Sequence, residues 1–236
     1  MKGITRAGFF GLALMAFSAL AAQSSEQPSL NKKETQWLSE WEAKGEDPRI
    51  SAECRQHSSN INQCRFRMVS DVPLDALGAV ILDVDHFTEW AKSVSESRRV
   101  FTEESGEGIY VYTTYDFVGA YDRDAVSVYT PDYRPDEQRI RITFQTVKRD
   151  VPVTDFRLVR FPLMAGYWQF TRLENGQTEI EHQSFAMPGG VVQKALYYLY
   201  NTAYVDASFE TLRALENQAR KPKYRERSLA TLMSGD

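Results

Sequence analysis

The chain has 236 residues, 42% hydrophobic and 12% aromatic, which suits a single globular domain with one sizeable core. Its formal charge is -4; without Lys2 and Arg6 in the first 21 residues, 26 basic residues face 32 acidic ones, about -6, and such a balance argues against a nucleic-acid partner. Two cysteines and three widely spaced histidines, His57, His86 and His182, lack the close ligand spacing of a zinc site, so neither metal nor cofactor is expected.

Lys2 and Arg6 precede the apolar run "AGFFGLALMAFSAL" (7 to 20), and Ala19-Leu20-Ala21 supplies small residues where a signal peptidase reads. This is the pattern of a cleaved export signal over 1–21, too short to span a ~30 Å hydrocarbon core comfortably. It implies a periplasmic or secreted protein. Residues 22–33 read as a disordered leader. "ETQWLSEWEAKG" (34 to 45) places Trp37, Leu38 and Trp41 at helical spacing before Gly45, which predicts a short capping helix.

"RISAECRQ" (49 to 56) and "INQCRFRMVSDV" (61 to 72) flank the polar turn His57 to Asn60, the pattern of a hairpin. Cys54 and Cys64 are equidistant from its centre, and an even cysteine count in an oxidising compartment favours a disulfide between them. "PLDALGAVILDVDHFTEWAKSV" (73 to 94) fits two short helices with a break near Asp83 to Asp85.

From residue 97 the period changes to that of strands, with segments near 97–105, 108–119, 123–132, 139–148, 154–162, 165–176 and 177–186. Their spacing suits antiparallel neighbours rather than crossovers through helices. A final helix is predicted over roughly 189–217, with Val191, Ala195, Tyr198, Thr202, Val205, Phe209 and Leu212 on one stripe. That stripe needs cover, and the large surface on offer is the sheet. The expected class is therefore α+β: a helix-grip fold, in which a strongly curved antiparallel sheet wraps a long C-terminal helix and leaves room for a ligand. "RKPKYRER" (220 to 227) lies in a polar tail over 219–236. It reads as a solvated run whose functional version is transient attraction to an anionic membrane surface.

In "RIRITFQTVK", Ile140, Ile142, Phe144 and Thr146 share one face against Arg139, Arg141 and Gln145, so the first set points inward. In "TEIEHQSFA", outward Glu179, Glu181 and Gln183 force Ile180, His182 and Ser184 inside. His182 is then either a satisfied core histidine or a polar contact for a ligand head group. In "GIYVYTTYDF", alternation leaves both Tyr110, Tyr112, Thr114 and Val111, Thr113, Tyr115 open as the inward set.

Trp90 after the helical insertion, "YDRDAVSVY" (121 to 129), "GYWQF" and "NGQTEIEHQ" within 166–183, and "MPGGVVQKAL" (187 to 196) together resemble the START domains. These are lipid-transfer domains related to the steroidogenic acute regulatory protein, within the helix-grip superfamily. The resemblance covers about residues 35–218 and makes 34–218 a START-like lipid-binding domain. It implies a tunnel for one lipid with the last helix as part of a lid, Gly189-Gly190 as the tight turn into that helix, and a structural Arg123-Asp124 pair. It favours Tyr110, Tyr112 and Thr114 as the inward set. Tyr129 stands where some sterol-binding relatives carry an arginine. The expected ligand-contacting residues are Tyr110, Tyr112, Thr114, Tyr129, Ile142, Phe144, Ile180, His182, Tyr198, Thr202, Val205 and Phe209, and the expected partner is a lipid or other hydrophobic small molecule. No nucleophile motif, phosphate loop or metal cluster is present in the sequence, and no catalytic residue is expected. The alternative is a cyclase-like or hydrolase-like enzyme using His182 and a tyrosine in the same pocket.

Overall fold

The computed structural model describes residues 37–102, 108–116, 121–152, 157–190 and 194–227. The export signal and leader read from the sequence lie outside these residues. Ten strands form one sheet: β1 Glu42–Ala43, β2 Ile50–Gln56, β3 Asn62–Ser70, β4 Val94–Arg99, β5 Ile109–Tyr115, β6 Arg123–Arg134, β7 Arg139–Thr146, β8 Val159–Arg160, β9 Leu163–Arg172 and β10 Thr178–Met187. The spatial order is β1-β2-β3-β10-β9-β7-β6-β5-β4, with β8 lying parallel to β6 and the other pairings antiparallel. After β3 the chain leaves the sheet through α1, Leu74–Leu82, and a 3-10 turn, Val84–Glu89. It re-enters at the far edge and meanders back until β10 closes onto β3. The long helix α2, Lys194–Ala219, and the short α3, Pro222–Arg225, follow. The result is a mostly antiparallel curved sheet with a C-terminal helix, the expected helix-grip arrangement.

Cross-strand register stacks the core in rows. Ile50, Met68, Ile180, Phe170 and Ile140 are successive partners across β2, β3, β10, β9 and β7; one step along, Ala52, Phe66, His182, Trp168 and Ile142 form the next row. Every member of both rows is buried. Side chains opposite one another on one face are the contacting unit of a sheet, so this face is the core. Cys54 and Cys64 are direct partners and form a disulfide. Gly166, opposite both Phe144 and Ser184, leaves room for the phenyl ring: a methyl group there would stand 2.8 Å from Phe144.

Two expectations about the ends of the domain change. Residues 37–45 are not helical. The free edge of β2 captures them instead, through a bridge between Trp37 and His57, a bond from Leu38 N–H to the Gln56 carbonyl, and β1. Unpaired strand-edge groups outweigh a weak helical propensity. The Arg55 guanidinium lies 3.9 Å from the Trp37 ring and 4.8 Å from that of Trp41. At the other end, α2 runs to Ala219 and the segment read as a solvated tail folds back as α3. Tyr224 is fully buried and donates its hydroxyl to Asp83 at 3.0 Å. Arg220 pairs with Asp71, and Lys223 pairs with Asp83 at 2.8 Å, so much of the basic run is tied to the domain's own acids.

Candidate functional site

Beneath α2, the inner sheet face carries a polar group among aromatic rings. His182 stacks on Trp168 with centroids 3.8 Å apart and planes within 16°, and Phe144 and Phe66 lie at 6.1 and 6.3 Å. Burial drives its imidazole pKa down to about 4, because a charged ring loses its hydration there. The ring is therefore neutral near pH 7.

The hydrogen bonds fix its tautomer. His182 Nδ1 is 3.0 Å from the Tyr167 carbonyl, which can only accept, so Nδ1 carries the proton. Nε2 is then an acceptor, and the group beside it is Ser184 Oγ at 3.1 Å. Ser184 Oγ also meets the hydroxyl of Tyr204 on α2. With the serine proton committed to Nε2, the tyrosine proton goes to Ser184. The chain runs one way, from Tyr204 through Ser184 to His182 and the backbone.

Other tyrosines join this interior. Tyr200 donates to the Ala186 carbonyl at 3.2 Å and lies 6.3 Å from the ring of Tyr204. Tyr129 stacks on Phe144 at 5.6 Å, and Tyr115 packs edge-on against Phe161 at 5.6 Å. Loss of hydration raises the pKa of Tyr115 to about 12 and lifts those of Tyr129, Tyr200 and Tyr204. Yet Tyr115, Tyr200 and Tyr204 are only partly buried by surface area. Ser127, on the same face of β6 as Tyr129, is 2% exposed, and among the described residues its hydroxyl has no hydrogen-bond partner.

Solved structures with this architecture were found. The STAR-related lipid transfer protein of Xanthomonas axonopodis matches with a TM-score of 0.66 and 21% identity over 77% of this chain and 99% of that one. Human STARD10 gives 0.66 and 14% over 78% and 74%, and human StAR-related lipid transfer protein 5 gives 0.63 and 13% over 76% and 86%. This chain has the START fold. No protein-family model matches the sequence, and no curated protein does.

Within the START fold the anticipated residues divide. Ile142, Phe144, Ile180, His182, Tyr129, Val205 and Phe209 all belong to the buried inner side. Tyr110, Tyr112 and Thr114 do not: they lie on the opposite face of β5, where Tyr112 and Tyr110 join Val100, Val126, Phe101 and Val147 in a separate small cluster. The inner face of β5 belongs to Ile109, Val111 and Tyr115. The outer cluster is closed by Arg98, 4.7 Å from the Tyr112 ring, and by Arg149, 4.6 Å from that of Tyr110, which lets aromatic residues sit on the outside of the sheet.

Tyr198 and Thr202 also depart from expectation. Tyr198 is 75% exposed, and Thr202 is exposed with its hydroxyl donating to the Tyr198 carbonyl. The stripe is covered from Val205 onward, where α2 packs against β3 and α1. Arg123 donates to the Pro188 carbonyl at 2.8 Å and also holds the Tyr121 carbonyl, while Asp124 takes a two-point bond from Arg160 at 2.8 and 2.7 Å. Gly189 and Gly190 have φ near +65° and +63°, a conformation that other residues avoid.

Alternation along β5 left Tyr115 open as an inward residue, whereas Tyr200 and the direct Tyr204–Ser184 contact were not expected from the sequence. Strand parity put Ser184 inside, but no sequence signal pairs it with a residue 20 positions away. Among the described residues, no group of three or more His, Cys, Asp or Glu is placed to hold a metal ion.

Proposed function

We propose that this protein is an exported lipid carrier that holds one hydrophobic ligand, a phospholipid, fatty acyl or sterol-like molecule, between the inner sheet face and α2. One observation carries the reading: beneath α2 the inner sheet face sets the linked Tyr204, Ser184 and His182 among the rings of Trp168, Phe144 and Phe66. Apolar walls with a few hydroxyls are the usual make-up of a ligand site. The fold shared with proteins described as lipid-transfer proteins supports it. Burying several hundred Å2 of lipid contributes on the order of 10 kcal/mol before the costs of binding. The N-terminal pattern and the Cys54–Cys64 disulfide support export. Exposed Tyr198 and Leu199 on α2 provide an apolar edge for transient contact with a membrane. Mass spectrometry of molecules extracted from protein purified from its own compartment tests the reading. A stoichiometric lipid is expected; no lipid, together with no uptake of a fluorescent lipid, rejects it.

A second reading, a hydrolase-like enzyme, is favoured by Ser184 Oγ lying within hydrogen-bond reach of His182 Nε2. Its weakness is the backbone carbonyl, rather than a carboxylate, behind the ring. Ester hydrolysis abolished by Ser184→Ala would establish it.

A further inference from the structure

From the direction of the Tyr204–Ser184–His182 chain, we infer that the interior selects lipids carrying a free hydroxyl and discriminates against matched ethers and esters. The inference rests on the carrier reading and names a subsite within it. Its basis is proton accounting. The Tyr167 carbonyl accepts at 3.0 Å and therefore fixes the proton on His182 Nδ1. Nε2 draws the proton of Ser184 at 3.1 Å, and Ser184 draws that of Tyr204. All three protons of the chain are spent inward.

What remains is a phenol oxygen, which the Ser208 hydroxyl also approaches, with a lone pair to offer and no proton to give. A ligand hydroxyl donates to it without loss. An ether or carbonyl oxygen placed there meets lone pairs with lone pairs, and accommodating it means turning the Tyr204 proton away from Ser184. Reversing the whole chain would require the other imidazole tautomer, which sets the Nδ1 lone pair against the Tyr167 carbonyl. Buried unmade hydrogen bonds are costly, and a site built for one hydroxyl rejects the analogue lacking it. Of the rings around His182, Phe144 and Phe66 carry no donor. Tyr200 is already directed at the Ala186 carbonyl, so it offers no ready proton either.

The test is competition against a bound pyrene-labelled acyl lipid by two matched pairs: 1-hexadecanol with hexadecyl methyl ether, and cholesterol with its methyl ether. The alcohol of at least one pair is expected to compete about tenfold better than its ether. Tyr204→Phe, which removes the ligand-facing acceptor together with the proton it gives to Ser184, is expected to abolish that preference while the probe still binds. Ser184→Ala frees the Tyr204 proton and is expected to shift the preference toward the ether, and it decides the matter alone if Tyr204→Phe does not fold. Equal competition within both pairs in the unaltered protein overturns the inference and leaves the carrier reading standing. A preference that survives in both variants also overturns it. If the labelled lipid does not bind and no member of either pair does, the carrier reading itself has failed and the inference falls with it.

Discussion

Tyr198 and Val205 lie two turns apart on α2, within about 20° of each other around the axis of an ideal helix, yet Tyr198 is 75% exposed and Val205 only 7%. The same stripe is thus core at one end and surface at the other. Tyr198→Asp is expected to change stability by less than about 0.5 kcal/mol, as surface replacements do, whereas Val205→Asp buries an unpaired charge and costs more than about 3 kcal/mol. Urea denaturation separates them. With the membrane-edge role proposed for Tyr198 and Leu199, Tyr198→Asp is expected to slow lipid transfer between vesicles while leaving the bound-lipid stoichiometry unchanged.

His182 makes stability depend on pH. Its pKa is about 4 in the folded chain against an ordinary 6.5, so between these values the unfolded chain binds the additional proton. Stability rises with pH through that window: the contribution is complete above pH 6.5 and is lost as pH falls toward 4, with a total of about 3 kcal/mol. Glu181 and Asp83, whose pKa values are lowered from 4.5 and 3.8 after their hydrogen bonds and ion pairs outweigh burial, add their losses at lower pH. His182→Gln is expected to flatten the slope between pH 4.5 and 6.5 and leave the acid limb in place. An unchanged slope assigns that window to other groups.

Why β7 was legible and β5 was not follows from the same physics. In β7 arginine and glutamine alternate with isoleucine and phenylalanine, and only one face can be desolvated. In β5 both faces carry tyrosine and threonine, and the outer face has its own cover in Arg98, Arg149 and Val126, so polarity does not separate inside from outside. The hairpin disulfide was legible because it depends on a short local symmetry. The Tyr204–Ser184 contact depends on where α2 comes to rest on β10, a tertiary fact without a local signature. The same holds for Trp37 to Gly45, whose helical spacing yields to the open edge of β2.

The Cys54–Cys64 bridge joins residues 10 apart in a hairpin already held by backbone pairing. A short loop of this size contributes about 2–3 kcal/mol, chiefly by restricting the unfolded chain. The double replacement Cys54→Ala with Cys64→Ala is expected to lower the unfolding free energy by that amount and to leave lipid stoichiometry intact. A loss confined to ligand uptake would instead place the bridge in the working site.

The last prediction concerns Glu216, whose carboxylate is buried on α2. Its side chain is 4% exposed and bonds Arg49 at 2.9 Å, Arg220 at 3.2 Å and the Ser70 hydroxyl at 2.7 Å. The two arginine side chains are 50% and 45% exposed, so the pairs are asymmetric. Removing the acid lets both cations return to water, and a leucine there trades ion pairs for apolar contact. Removing the cations strands a buried charge with one serine for company. Glu216→Leu is therefore expected to cost about 1 kcal/mol or less, and Arg49→Ala with Arg220→Ala about 3 kcal/mol. Chemical denaturation of the two variants checks the order. The reverse order would mean that the arginines hold α2 mainly through their own packing on Met68 and neighbouring residues, which Arg49 approaches at 3.8 Å.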